Sequence, residues 1–273
     1  MSIKLIAIDI DGTLIADDHT ITPATKQAIQ TATQQGINIV LCTGRPLTGV
    51  TSYLDELGLN HQNNEYVISY NGSLAQTTAG KTLAKYTVPF DDMIDLGVFA
   101  LKHGLKMILE TATTLIATTQ QIDQYAVHES KLVSLPLMYQ SLDQLAAQKD
   151  HLEISKLMIT GPKDDLDQVL TTIPDELAAK FNIVRSEDFY LEFINPAASK
   201  GNALQLMGTE LGIDQSEMMA LGNAQNDESM LAYAGIGVAM GNSIPSTKAV
   251  ADYLTDDNNH DGVGKAIEKF ALN

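Results

Sequence analysis

The segment Asp9-Ile10-Asp11-Gly12-Thr13-Leu14 sets two carboxylates two residues apart, directly after a short apolar run. At that spacing the two share a side as a strand runs out. Carboxylates so close repel one another unless a cation sits between them, and a hard cation with oxygen ligands suits them. One carboxylate can then attack phosphorus while the other handles protons. Asp-Gly is also a common turn pair. A turn accounts for Asp11 and Gly12, but not for an apolar strand that ends on Asp9.

Three further segments offer matching chemistry. Thr43-Gly44-Arg45 supplies a hydroxyl, a flexible glycine whose amide can approach an anion, and a charge that either meets substrate or only orders the loop. An ordinary strand-to-helix turn would read the same way. Ser199-Lys200-Gly201 opens a helical pattern; helix N-termini favour anions and a lysine there is a point charge suited to phosphate, although an isolated lysine is ordinarily a solvated surface residue. Gly222-Asn223-Ala224-Gln225-Asn226-Asp227 brings an amide oxygen (Asn223) and a carboxylate (Asp227) to a second strand end. Helix N-capping is the alternative employment of Asn226 and Asp227.

These segments need strands and helices to hold them. Residues 3–10, 37–43 and 66–70 are short, isoleucine- and valine-rich apolar runs, read as buried strands. Between the first two, residues 22–36 read as a helix with Thr22 as N-cap, Pro23 in the first turn and Gly36 as the stop. The pattern returns late: a helix over 199–212, strands at 218–222 and 235–240 with a helix over 227–234 between them, and an amphipathic helix from Asp261 to Leu272. Continuous apolar strands alternating with helices predict a doubly wound, mostly parallel α/β sheet of Rossmann-like type. The middle differs. Residues 83–89, 105–119, 153–161, 182–186 and 189–194 read as strands of a more exposed, mostly antiparallel sheet, with helices over 91–103 and 163–181. The expected organisation is a discontinuous core, 1–81 with 191–273, and an inserted α+β cap domain, 82–190, hinged near Gly80 and Pro196.

Bulk properties narrow the function. The 273 residues carry 34 acidic and 17 basic side chains, a net charge of −17. Such a surface repels nucleic acid, and no basic stripe offsets it. It also repels phosphate esters at long range, so a phosphate site must be a local island of metal, backbone amides and one or two cations. No apolar run reaches the roughly 18 residues that span a bilayer, the N-terminal residues lack a secretory pattern, and a single cysteine fits a reducing cytoplasm. The expected partner is a small molecule, with no nucleic acid or membrane, and the chain a monomer or weak homodimer. Cys42 lies inside an apolar strand and reads as core; the six histidines show no metal-ligand spacing; Asp17-Asp18-His19 reads as a solvated loop.

The order DIDGTL, TGR, SKG and GNAQND resembles the four motifs of the haloacid dehalogenase-like hydrolases, and the insertion between TGR and SKG resembles the Cof-type subgroup with a type IIB α/β cap. Further similar stretches are YNGS (70–73), residues 233–252 and residues 261–269. The resemblance implies a magnesium-dependent phosphatase of small metabolites, with sugar phosphates first. Asp9 would be the nucleophile and form an aspartyl phosphate, and Asp11 the acid and base. Thr43, Gly44, Lys200 and Asn226 would hold phosphate, with Arg45 a candidate substrate contact. Mg²⁺ would be held by Asp9, the Asp11 carbonyl and Asn223, with Asp227 acting through water or as a second ligand. A phosphomutase or phosphotransferase is the alternative within this chemistry, and a non-catalytic phosphate-ligand sensor the alternative outside it. One position departs from the family pattern: Asn223 stands where aspartate is usual. The neutral amide predicts weaker magnesium binding, and Asn223→Asp a lower magnesium requirement.

Overall fold

Strand β1 (Leu5–Asp9) sends Leu5 and Ala7 to one apolar cluster and Ile6 and Ile8 to another, so both of its faces are buried. The computed structural model describes residues 2–272. After β1 come α1 (Pro23–Gln34), β2 (Asn38–Cys42), α2 (Thr51–Leu57), β3 (Tyr66–Ser69), β4 (Leu74–Thr77) and β5 (Thr82–Lys85). Thr22 occupies the N-cap position of α1 with extended backbone, yet its hydroxyl makes no cap bond and is buried without a partner among the described residues. Pro23, with its φ preset for the first turn, starts this helix instead.

The chain divides into two units, one of residues up to Lys85 and from Ser199 on, the other of Tyr86–Ala198. Both boundaries differ from the expected 81/82 and 190/191. Strand β5 pairs antiparallel with β4 in the first unit's sheet. Gly80 is not a hinge: at φ +90° it makes the hairpin turn between those two strands, a conformation that only glycine adopts without strain.

The second unit holds α3 (Phe90–Lys102), β6 (Lys106–Glu110), β7 (Leu115–Ala117), α4 (Gln124–Leu132), β8 (Leu137–Tyr139), α5 (Leu142–Ala147), β9 (Lys156–Thr160), α6 (Lys163–Leu170), α7 (Asp175–Ala178), β10 (Asn182–Glu187) and β11 (Tyr190–Ile194). Its strands form one sheet in the order β10-β11-β9-β6-β7-β8, antiparallel except for β7 with β8. The single helix expected over 163–181 is two, because Pro174 lacks an N–H and its ring would clash within a continuous helix.

That sheet buries a charge cluster. Glu110, Lys156 and Glu192 share the face that Glu129 of α4 meets, and Lys156 Nζ lies 3.2, 3.2 and 3.5 Å from Glu110, Glu192 and Glu129. Three carboxylates share one ammonium. Glu110 is fully buried and neither of its oxygens accepts an oriented hydrogen bond among the described residues, although the ion pair with Lys156 remains. Burial pushes its carboxyl up to about 8, outweighing the pull of Lys156, with Glu129 and Glu192 adding to the rise. A carboxyl raised on folding contributes stability that is present below its unfolded value of 4.5 and lost as pH rises to about 8. Glu110→Gln removes this loss. Its melting temperature should match wild type near pH 5 and exceed it at pH 9, by an amount worth about 1–3 kcal/mol. Thermal unfolding at the two pH values checks it.

The chain returns to the first unit with α8 (Lys200–Leu211), β12 (Met218–Gly222), α9 (Glu228–Tyr233), β13 (Ile236–Ala239), α10 (Pro245–Val250), β14 (Tyr253–Leu254) and α11 (Gly262–Phe270). The sheet order is β14-β13-β12-β1-β2-β3-β4-β5, parallel through β3 and antiparallel in the β3-β4-β5 meander. Helices α1, α2 and α11 cover one face, while α8 and α9 cover the other. This is the doubly wound arrangement. Strand β1 lies between β2 and β12, so the connections leaving β1 and β12 run to opposite sides. Ligand sites of open α/β sheets form beyond the carboxyl ends of strands at such a reversal.

Candidate active site

The motif residues meet at that edge. Asp9 is the last residue of β1, in register with Cys42 of β2, while Ile8 faces Leu221 of β12. Asp9 is therefore 5% exposed, a carboxylate seated at the rim of an apolar sheet. Lys200 reaches it from the first turn of α8, where Ser199 caps the helix by accepting the Asn202 N–H. The Lys200 ammonium is fully buried and lies 2.6 Å from both Asp9 Oδ1 and Asp227 Oδ1. Next to it, the first turn of α8 packs closely at Gly201, where a Cβ would overlap the backbone carbonyl of Ser229.

Electrostatics follow from this seating. Burial, and then the charge on Asp227, push the Asp9 carboxyl up to about 7, against the pull of Lys200. Lys200 itself is held above its ordinary value, because Asp227 and Asp9 together outweigh the cost of its burial. Cys42, beside them, is no thiolate: burial pushes it up to about 12. It remains a core residue, as its apolar strand predicted.

Asp227 is fully buried, and its second oxygen accepts the backbone N–H groups of Asn223 (2.9 Å) and Ala224 (3.0 Å). It fastens the loop after β12 to Lys200. Among the described residues it makes no hydrogen bond with Asp11 or with the Asn223 side-chain amide.

Asn223 lies beside Asp9 and the Asp11 backbone. The inward end of its amide is 3.1 Å from Thr13 Oγ1, 3.1 Å from the Asp11 carbonyl oxygen and 3.2 Å from Asp9 Oδ2. Adjacent ligands of an octahedral Mg²⁺ with bonds of about 2.1 Å are about 3 Å apart. The donor set of one carboxylate, one backbone carbonyl and one amide is all oxygen, as a hard cation requires, and so it fits. Among the described residues no three His, Cys, Asp or Glu side chains form a metal-binding group. The fit depends instead on backbone and amide oxygens. Gly12 makes room at φ +75°, where a Cβ would sit 2.5 Å from the outward end of the Asn223 amide. Gly12→Ala adds left-handed strain of about 1–2 kcal/mol to that overlap. A lower melting temperature is expected, with a larger loss than Gly36→Ala causes at φ +81°, where nothing lies near.

Asp11 and Arg45 form a pair that sequence separation hides. Arg45 Nη2 donates to Asp11 Oδ1 at 2.6 Å and Nε to Oδ2 at 3.1 Å, with the Asp11 side chain 53% exposed. Arg45 thus meets the second carboxylate of DIDGTL. Thr43 is buried, and its hydroxyl oxygen accepts the Arg45 N–H. Gly44 faces the side chain of Asn71, which also accepts from Asn226 Nδ2 at 3.0 Å. The sequence reading assigned no role to Asn71, Thr13 or Asn242, whose Nδ2 donates to the Gly12 carbonyl at 2.8 Å. Asn71 was visible as the Asn-Gly turn pair after β3, and Thr13 as part of DIDGTL. For Asn242 no local pattern distinguishes it from a loop residue.

The chain is similar to known proteins. Residues 6–267 match the family model of haloacid dehalogenase-like hydrolases. A protein of Streptococcus pyogenes serotype M6, provisionally named a phosphatase, is 41% identical over 274 residues and covers all of both chains. A haloacid dehalogenase-like hydrolase from Bacteroides thetaiotaomicron superposes with a TM-score of 0.84 at 29% identity, over 98% of this chain and 99% of that one. A solved sugar phosphatase of subclass IIB gives 0.75 at 25% identity, over 98% of each chain. This chain belongs to the haloacid dehalogenase-like hydrolases, in their Cof-type phosphatase subgroup. Among the described residues no helix is long and apolar enough to cross a membrane.

Proposed function

We propose that this chain is a magnesium-dependent phosphatase of small phosphorylated metabolites, sugar phosphates first, acting through an aspartyl phosphate on Asp9. The observation that carries the reading is the seat of Asp9: one carboxylate oxygen lies on the Lys200 ammonium and the other faces the oxygen cluster of Asp11 and Asn223. A nucleophile so held is oriented before substrate arrives, and orientation is a large part of the barrier. Asp9 attacks phosphorus as the bond to the leaving oxygen breaks. Asp11 gives that oxygen a proton, then takes one from the water that cleaves the aspartyl phosphate and releases inorganic phosphate. Asp11 is exposed and paired with Arg45, so it exchanges this partner for the substrate as it acts. Lys200, the Thr43 hydroxyl, the Gly44 amide and Asn226 hold phosphoryl oxygens, and Asp227 keeps Lys200 and the 223–224 backbone in place. The Asp9 carboxylate, the Asp11 carbonyl and the Asn223 amide oxygen would hold magnesium, with Asp227 acting through water or as a second ligand, and the ion would supply charge neutralisation for the phosphoryl group.

Substrate class follows by likeness to the subclass IIB sugar phosphatase. A cytoplasmic location accords with the one buried, unpaired cysteine. Assay on p-nitrophenyl phosphate tests the reaction. One inorganic phosphate should appear per nitrophenolate, and chelation of magnesium by EDTA should lower the rate about 100-fold or more, reversibly. Phosphate appearing on an added alcohol or sugar acceptor would make the protein a transferase, and no magnesium-dependent release would leave a binding protein. A panel of phosphorylated sugars and cofactors then ranks substrates by kcat/KM.

A further inference from the structure

We propose that the Asn223 side chain is a built-in stand-in for the cation: without metal its NH₂ group ties Asp9 to the Asp11 backbone, and the amide turns its oxygen inward to admit magnesium. This rests on the metal-dependent reading above and concerns the amide that lies beside the Asp9 carboxylate.

The inward end of the amide has three oxygen neighbours, at 3.1, 3.1 and 3.2 Å. Two of them, the Asp11 carbonyl and the Asp9 carboxylate, can only accept when Asp9 is ionised. With nitrogen inward, the amide supplies protons to the oxygens around it. With oxygen inward, only the Thr13 hydroxyl can donate to it, and two oxygen–oxygen contacts remain with no proton between them. A cation is what makes such contacts favourable. Each orientation of one side chain therefore suits one state of the site. A carboxylate at position 223 has no N–H in either orientation, and it would add a negative charge beside Asp9 and Asp227.

Two features confine the change to the amide. The Asn223 backbone is pinned, its N–H by Asp227 Oδ2 at 2.9 Å and its carbonyl by the Ile244 N–H at 3.2 Å. The outward end of the amide faces Gly12, where even a methyl group would stand at 2.5 Å. The amide exchanges its ends in the space that glycine leaves. The consequence is a site ordered without metal that binds magnesium more weakly than a carboxylate site would.

The test uses the full chain stripped with EDTA and titrated with MgCl₂ in the absence of substrate. Calorimetry and thermal unfolding are measured on wild type, Asn223→Asp and Asn223→Ala. Metal-free Asn223→Asp should melt below wild type, bind magnesium on the order of tenfold more tightly, and gain more melting temperature from it. In ¹H–¹⁵N spectra, one side-chain amide pair, absent from Asn223→Ala, should be protected from solvent exchange without metal and move as magnesium saturates. Equal magnesium affinity and equal metal-free melting in wild type and Asn223→Asp, or an amide pair indifferent to magnesium, overturns the stand-in alone. No magnesium binding to either protein overturns the metal-dependent reading and the stand-in with it.

Discussion

Asp9→Asn is expected to lower kcat on p-nitrophenyl phosphate by at least about 10⁴-fold, the scale on which loss of a covalent nucleophile is felt, while the protein stays folded and melts no lower than wild type. The two halves of this result come from the same burial. Asp9 is 5% exposed, and burial together with Asp227 pushes its carboxyl up to about 7. A group raised in this way contributes stability below its unfolded value of 3.8, and the contribution is lost as pH climbs to about 7. The ionised carboxylate that catalysis needs is thus a cost to the fold at neutral pH. An amide keeps the shape, still accepts from Lys200, and carries no charge to desolvate. In EDTA, the melting temperature of Asp9→Asn should gain on wild type between pH 5 and pH 8. Such opposition of stability and activity is common at sites that hold a group in an unfavourable state. A variant that keeps more than one per cent of the wild-type rate would remove Asp9 from the role of nucleophile. One that melts well below wild type at pH 8 would mean that the carboxylate supports the fold.

The parallel half of the fold was legible because its inner strands are buried on both faces and so read as unbroken apolar runs, as in Leu5–Asp9 and Met218–Gly222, whereas the exposed two-residue edge strand β14 left no such run. A charged residue at the end of such a run is conspicuous, and this drew the reading to Asp9 and then to the loop after Gly222. The helix read over 199–212 is present as α8, capped by Ser199 and ended by Gly212 in the left-handed region. The second unit was less readable. Leu137–Tyr139 and Leu142–Ala147 are short and half exposed, and too brief for a periodicity to form. Strand β5 was assigned to the wrong sheet because an exposed edge strand carries no sign of which neighbour it joins.

Outside the Asp9–Lys200–Asp227 group, pairings between distant residues were not legible. Arg45 and Asp11 are 34 residues apart, and Asn226 and Asn71 are 155. Their meeting is fixed by strand order, which places the loops after β1, β2, β3 and β12 along one edge. The Lys156 cluster is hidden for the same reason: a lysine or glutamate in a strand normally marks the solvent face, and here three of them face inward together and meet Glu129 of α4. Sequence periodicity reports burial only when the buried residue is apolar.

Lys200 is the position where the fold and the proposed chemistry depend most on one atom. Its ammonium is fully buried, with Asp9 and Asp227 each at 2.6 Å. Lys200→Met preserves much of the side-chain volume and leaves two buried carboxylates without their shared cation. Breaking a buried pair by removing one partner costs about 3–5 kcal/mol, which for a chain of this size is a drop in melting temperature on the order of 10 °C. The same change removes a positive charge aimed at the transferred phosphoryl group, for which a kcat loss of about 10²–10³-fold is expected. The two losses have different causes, and a second substitution separates them. In Lys200→Met with Asp9→Asn, one of the stranded carboxylates becomes neutral, so much of the stability should return while activity stays absent. Thermal unfolding of the two single variants and the double variant gives the coupling directly. Lys200→Arg is not expected to rescue either property. Its planar fork cannot sit as a point charge between two carboxylate oxygens that both lie 2.6 Å from one buried nitrogen. Additive stabilities across the cycle would mean that Lys200 does not neutralise Asp9 in the folded protein, and the proposed seat of the nucleophile would lose its cation.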